Sequence, residues 1–344
     1  MTRLDRLRAG LDLPLLVTAP ANVLYLTGLH SSNAALVVEP ERVRLFTDFR
    51  YAEAARAVEG VEVVQTRRAL FGALAEQLEG RIAFEADAVS YASYRTLADA
   101  GLELVPAERP VERLRAVKDE TELAALRRAA AIADAALGAL LEEPWIGRTA
   151  RELAWRLDRL MREGGADRVS FDAMVGAGPD GAHPHLDPGD RVIEPGTTVV
   201  VDFGCVVEGY CSDCTRTLAT GELPDELGRA YQACLRGQLA AVEAIRAGMT
   251  GVEADAVARG SIADAGFGEQ FGHGLGHGVG LLVHEAPRLS TESTDTLEPG
   301  NVVTIEPGIY LPGVGGVRIE DLAVVREDGV ELLTSLPKEL TTVS

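Results

Sequence analysis

Between residues 15 and 106, short apolar runs alternate with stretches of helical character. The apolar runs at 15–18, 36–38, 44–47, 61–65, 82–85 and 102–105 are rich in valine, leucine and isoleucine and too short for helices. They predict six strands. The stretches 51–58, 70–78 and 91–100 predict helices. Elements alternating in this way give an α/β domain built on a mixed sheet. A proline-bounded segment, 106–110, reads as a linker.

The pattern then changes scale. Residues 118–141 form a long alanine- and leucine-rich run of strong helix propensity, with Asp119 placed to cap it and acids in its first turn. A second helix over 149–164 ends at glycines. Strands are predicted at 171–175, 198–206 and 210–219, helices at 224–247 and 252–264, and strands at 302–310, 317–325 and 330–333. Each half of this region contains helices followed by an acid-bearing hairpin, which implies an internal duplication. At 344 residues the chain exceeds the size at which single cores stop growing. It divides into a domain over 1–110 and a second over 111–344.

Apolar residues make up 47% and charged residues 25% of the chain, ordinary for a globular protein. A formal charge of −20 argues against nucleic acid or an anionic membrane as partner and favours solubility. Lysine occurs only at Lys118 and Lys338, so arginine carries almost all positive charge. The N-terminal residues alternate charge with leucine, lack a signal-type apolar core, and predict a cytoplasmic protein. Cys211 and Cys214 form a C-x-x-C, but there is no second such pair. They and Cys205 and Cys234 are expected to be small buried thiols in a reducing compartment.

The candidate chemistry lies in the second domain. Asp202 ends a valine run, and Asp213 lies beyond a Val207-Glu208-Gly209 turn. In a hairpin the two would stand nearly opposite on one face, about 5 Å apart at Cβ. Glu306 and Glu320 flank a second turn in the same way. Acid pairs face to face repel unless protonated or bridged by cations. With a nearby histidine they suit two divalent metal ions of the hard or borderline kind, Mn²⁺, Co²⁺ or Zn²⁺. Such a site polarises a carbonyl and activates water. Between the acid pairs runs Phe271-Gly272-His273-Gly274-Leu275-Gly276-His277-Gly278-Val279-Gly280-Leu281-Leu282-Val283-His284-Glu285-Ala286-Pro287. Its glycines permit close backbone approach. It also contains a GxGxxG-like match, but no βαβ unit frames it, so phosphate binding is set aside.

These segments, with Val201-Asp202-Phe203-Gly204, Ser212-Asp213-Cys214-Thr215-Arg216, Thr304-Ile305-Glu306-Pro307-Gly308 and Arg318-Ile319-Glu320-Asp321, resemble the M24 metallopeptidase family of pita-bread enzymes. Asn22-Val23-Leu24-Tyr25-Leu26-Thr27-Gly28 and Asp48-Phe49-Arg50-Tyr51 resemble its creatinase-type N-domain. The resemblance covers nearly the whole chain. It implies an α+β chain, a creatinase-type α/β domain followed by a duplicated pita-bread catalytic domain. It implies Asp202, Asp213, His277, Glu306 and Glu320 as ligands of two metals, with Mn²⁺ favoured, and Asp213 and Glu320 bridging. His277 takes the ligand place because the next family histidine follows it by seven residues, here His284. His273 and His284 then match positions that contact substrate, with Glu306 as proton shuttle, and His185 matches a further substrate-side histidine.

The implied reaction is hydrolysis of the bond between an N-terminal residue and proline, in a homodimer. Within the family a dipeptidase is preferred over an aminopeptidase P-like enzyme acting on longer chains, because Arg288 is a candidate clamp for a proline carboxylate. A non-catalytic binding protein on the same fold is the alternative of a different class. Each residue also has a plainer reading: His273 as a packed core histidine, His183 as a loop residue. Arg318 is equally a neutraliser of excess negative charge or a substrate contact.

Overall fold

The computed structural model describes residues 2–344. The chain forms two compact units that divide between Arg115 and Ala116. The first is built on a six-stranded sheet, in the order Glu62–Thr66, Val43–Asp48, Ala34–Val38, Leu15–Val17, Arg81–Phe84, Glu103–Pro106. Ala34–Val38 runs antiparallel to both its neighbours, and the outer strands pair in parallel, so the sheet is mixed. Leu16, Val37 and Phe46 pack with Leu74 and Leu97 of two helices to form its core. Three helices fall outside the sequence pattern. Arg3–Ala9 and Pro20–Thr27 are short, and Pro110–Ala116 directly follows the expected linker. The N-cap of Pro20–Thr27 is Ala19, which has no capping side chain. Glu85 substitutes from a neighbouring strand end, accepting the Thr18 and Ala19 N–H groups at 2.6 and 2.7 Å.

The second unit contains the duplication. Helices Glu120–Leu141 and Ala150–Glu163 bury leucine and alanine faces against strands Met174–Ala177, Thr198–Phe203 and Cys214–Ala219. Helices Asp225–Ala244 and Gly251–Asp264 repeat the arrangement over strands Val302–Ile305 and Gly308–Leu311. Three of these four helices begin with reciprocal capping boxes: Asp119 with Glu122, Thr149 with Glu152, and Thr250 with Glu253.

Both acid-bearing hairpins break beside their acids, at Asp213 in the first and at Glu306 and Glu320 in the second. In the first, Phe203 pairs with Cys214 and Val206 with Cys211, and the ladder lapses at Gly204 and at Ser212–Asp213. Its tip places Glu208 and Gly209 at φ of 51° and 88°, the tight turn that suits a hairpin's twist. In the second, Ile305 pairs with Asp321 and Gly308 with Arg318, leaving Glu306-Pro307 opposite Ile319-Glu320. The register corrects one expectation. Asp202 stands opposite Thr215, not Asp213. The two aspartates are diagonal neighbours on one face, because Asp213 lies two residues before that partner. The histidine-glycine segment also holds two strands that its glycine content concealed, Gly276–Gly278 and Glu285–Leu289.

Candidate metal centre

The two broken hairpins and strand Gly276–Gly278 bring five predicted side chains together. Carboxylate oxygens of Asp202, Asp213 and Glu320 all lie within 4.8 Å of one another. His277 Nε2 is 3.2 Å from Glu306 Oε1 and 3.8 Å from Asp213 Oδ2, so it closes the group on the other side. Hydrogen bonds from the protein set the orientations. Thr215 Oγ1 donates to Glu320 Oε2 at 2.6 Å. Thr304 Oγ1 donates to Glu306 Oε1 at 2.9 Å and accepts the His277 N–H at 3.1 Å. Arg318 donates to Asp202 Oδ2 at 2.7 Å.

Charge is concentrated here beyond what the protein neutralises. Burial, then the charges of Glu320 and Asp202, push the Asp213 carboxyl well above its usual range. Burial, then Glu306 and Asp202, do the same to Glu320. Burial also raises Asp202, against the opposing pull of Arg318. Glu306 behaves differently. Burial works to raise it, but the hydrogen bond and charge of His277 outweigh that and hold it low. Asp202 Oδ1 and Glu320 Oε1 are buried with no hydrogen-bond partner. Unpartnered buried acceptors are costly. Oxygen-rich donors with one imidazole suit divalent cations of the hard or borderline kind, so these residues fit a metal centre.

The remaining predicted residues fall around this centre. The imidazole of His284 lies 4.3 Å from that of His277, centroid to centroid. Burial lowers its pKa, and the positive charge of His277 lowers it further, against the opposing pull of Glu306. Arg288 is exposed and stands opposite His277 in the strand pair. Among the described residues, none forms an ion pair with it. His273 does not join the carboxylates. Its Nδ1 lies 2.7 Å from the Gly274 carbonyl and its Nε2 2.9 Å from the Tyr310 hydroxyl, which occupies both ring nitrogens.

The profile of Metallopeptidase family M24 matches residues 124–327, and that of the Creatinase/Prolidase N-terminal domain matches residues 4–117. The chain belongs to Metallopeptidase family M24. An uncharacterized peptidase of Bacillus subtilis is 42% identical, over 98% of this chain and 99% of that one. Among solved structures, the Xaa-Pro dipeptidase from Bacillus anthracis is 40% identical with a TM-score of 0.96, covering 99% of both chains. The X-Pro aminopeptidase from Thermotoga maritima is 34% identical with a TM-score of 0.90, covering 98% of this chain and 100% of that one.

As an M24 metallopeptidase the chain shows two features that motif spacing did not mark. Arg318 is buried, and it donates through Nε to Thr215 Oγ1 at 3.0 Å and through Nη1 to Tyr310 Oη at 2.9 Å, as well as to Asp202. Thr215 and Tyr310 thus join Asp202, Arg318, Glu320 and His273 in one hydrogen-bonded set. Thr215 lies within the Ser212–Arg216 segment that resembles the family, but the sequence assigned it no role. Tyr310 carried no signal.

The charge balance has a consequence for stability. A carboxyl whose folded pKa lies above its unfolded value must shed that unfavourable charge on folding, so it subtracts stability at neutral pH and less as pH falls. Asp213→Asn keeps the shape and removes the charge. The metal-free variant should be more stable than metal-free wild type at neutral pH by on the order of 1 kcal/mol. It should also lose most of the stabilisation that an added divalent metal ion gives wild type. Denaturant titrations with and without Mn²⁺ measure both. A variant that is less stable without metal, yet fully stabilised by it, would contradict the arrangement.

Proposed function

We propose that the chain is a metal-dependent peptidase that cleaves between an N-terminal residue and proline, and that it acts as an Xaa-Pro dipeptidase. The observation that carries the reading is the convergence of Asp202, Asp213 and Glu320 with the His277–Glu306 pair, with two buried oxygens unpartnered. Those five side chains would hold two divalent ions, Mn²⁺ being the preferred pair. Bound metals supply Lewis-acid polarisation of the scissile carbonyl and activation of water.

The other roles belong to the chain's own groups. His284, beside His277 and at the open side of the centre, donates a hydrogen bond to the oxygen that gains charge in the transition state. Glu306 carries a proton to the departing proline nitrogen. That nitrogen has no hydrogen in the substrate amide, so shape selects proline. Arg318, enclosed by protein partners, fixes Asp202 rather than meeting substrate. His273 holds Tyr310 behind the site. His185 lines the substrate side. Arg288, exposed and facing the same way as His277, binds the proline carboxylate. The four cysteines are free and buried, which supports a reducing, cytoplasmic setting. Among the described residues, no helix is long and apolar enough to cross a membrane.

A second reading, an aminopeptidase acting on longer peptides, is favoured by the Thermotoga maritima enzyme, which matches almost end to end. Arg288→Ala separates the two. In a dipeptidase the variant should lose about 1.5–3 kcal/mol in kcat/KM on Xaa-Pro, the usual worth of a hydrogen bond to a charged group. Cleavage of Xaa-Pro-Xaa should be little changed. Equal losses on both, or efficient wild-type cleavage of tripeptides, would favour the aminopeptidase.

The role of His284 has its own measurement. His284→Ala should keep both metals by elemental analysis and lose kcat by ~10²–10³-fold. Loss of metal in this variant would mean that the ligand histidine has been misplaced.

The resemblance of residues 4–117 to the Creatinase/Prolidase N-terminal domain supports a homodimer in which the first unit of one subunit lies near the partner's centre. Light scattering at micromolar concentration should return twice the 36.5 kDa chain mass. A fully active monomer would rule the dimer out.

A further inference from the structure

Lysine occurs twice among 33 basic side chains. Both lysines sit in ion pairs with a carboxylate that follows a residue in or beside the centre. Lys338 Nζ is 2.6 Å from Asp321 Oδ2, next to Glu320. Lys118 Nζ is 3.5 Å from Glu285 Oε2, next to His284, and the two side chains are only 1% and 6% exposed. A lysine ammonium is a compact point charge on a slender stem, whereas an arginine brings a planar fork. Where arginine serves almost everywhere else, two enclosed lysines mark places shaped for an ammonium.

The Lys118 pair leads furthest. Glu285 fills the inside of the 280–285 loop: its Oε1 accepts the Leu282 N–H at 2.9 Å. A Cβ at Gly280 would lie 2.7 Å from Glu285 Oε2, so the carboxylate packs directly against the backbone of Gly280. The loop is also tied to the Asp213 hairpin, since the Cys211 N–H donates to the Gly280 carbonyl at 2.8 Å. Tyr210 Oη of the same hairpin donates to Glu122 Oε1 at 2.9 Å, one turn along from Lys118. Lys118 is itself fixed, donating its N–H to the Gly300 carbonyl at 2.9 Å, immediately ahead of the helix that Asp119 caps.

We propose that Lys118 is a positioning residue. Through Glu285 it holds the 280–285 loop in the shape that keeps the His284 imidazole beside His277. Lys118 is itself neither a proposed metal ligand nor a proposed substrate contact. Its effect on turnover rests on the role proposed above for His284, but its effect on the loop does not.

The test uses the full-length protein with Lys118→Met, and with the double variant Lys118→Met/Glu285→Gln, which removes both charges of the pair if the single variant folds poorly. Hydrogen exchange reads the loop directly. Amides of 280–285 should exchange at least about tenfold faster, with those in the middle of helix Glu120–Leu141 unchanged. Calorimetry should find Mn²⁺ binding within about threefold of wild type, because no proposed ligand is altered. On Xaa-Pro, kcat should fall ~10–100-fold with KM little changed. In a His284→Ala background, the same Lys118 substitution should cost less than about twofold more, because both act on one element. Unchanged exchange in the loop, or a full further loss on top of His284→Ala, would overturn the proposal. If the wild type does not cleave Xaa-Pro at all, the functional reading fails, and the exchange result alone decides on Lys118.

Discussion

The repulsion among buried carboxylates organises this molecule. Two unit charges about 4 Å apart interact by ~4 kcal/mol at the effective dielectric of a protein. Asp202, Asp213 and Glu320 are held within such distances. The protein answers only part of that charge. Arg318 pairs with Asp202, and His277 with Glu306. Arg216, though close, donates to the Glu320 backbone carbonyl and not to its carboxylate. The surplus negative charge falls on Asp213 and Glu320, whose carboxyls are pushed well above their usual range. A centre with that imbalance is built to be completed by cations.

The fold serves this constraint by converging two hairpins from duplicated halves and breaking the ladders at Asp213, Glu306 and Glu320. An unbroken ladder would fix the backbone and send successive side chains to opposite faces of the sheet. The breaks release Asp213, Glu306 and Glu320 to turn toward one another. The hairpins are then locked together by alternate threonines of strand Cys214–Ala219, which share one face. Thr215 Oγ1 reaches Glu320. Thr217 Oγ1 accepts the Arg318 N–H and donates to the Arg318 carbonyl, both at 2.9 Å. Small hydroxyls can make such double contacts across a tight interface without holding the strands apart.

Much of this was legible in the chain. Asp202 at the end of a valine run was conspicuous because an acid there is costly to bury unpaired. The long helices announced themselves by length, periodicity and caps, with Asp119 and Thr149 both found at N-caps. What escaped was set by tertiary contact. Helix Pro20–Thr27 depends on Glu85, which lies some sixty residues away in sequence. Strands Gly276–Gly278 and Glu285–Leu289 are glycine- and proline-containing, and pairing with one another and with Val302–Ile305 makes them strands. The diagonal offset of Asp202 and Asp213 depends on the two-residue turn at Glu208-Gly209, a detail of register that spacing alone leaves open. Tyr310 gains its importance only from the Arg318 and His273 atoms that reach it.

Glu320 and Asp321 show how a buried acid's role is written in its donors. They are adjacent and both buried, yet their carboxyls shift in opposite directions. Asp321 receives Arg216 Nη2 and Thr334 Oγ1 on one oxygen, both at 2.8 Å. It receives Gln238 Nε2 at 2.7 Å and Lys338 Nζ at 2.6 Å on the other. Burial works to raise it, but the charges of Arg216 and Lys338 hold it below its usual range. Glu320 receives Thr215 on one oxygen and nothing on the other. A carboxylate saturated with donors has no lone pair left for an external cation and serves the fold. One that is buried with a vacant oxygen lowers its energy only by taking a proton or a cation. Giving Glu320 the donors of Asp321 would remove the repulsion and, with it, the capacity to bind metal.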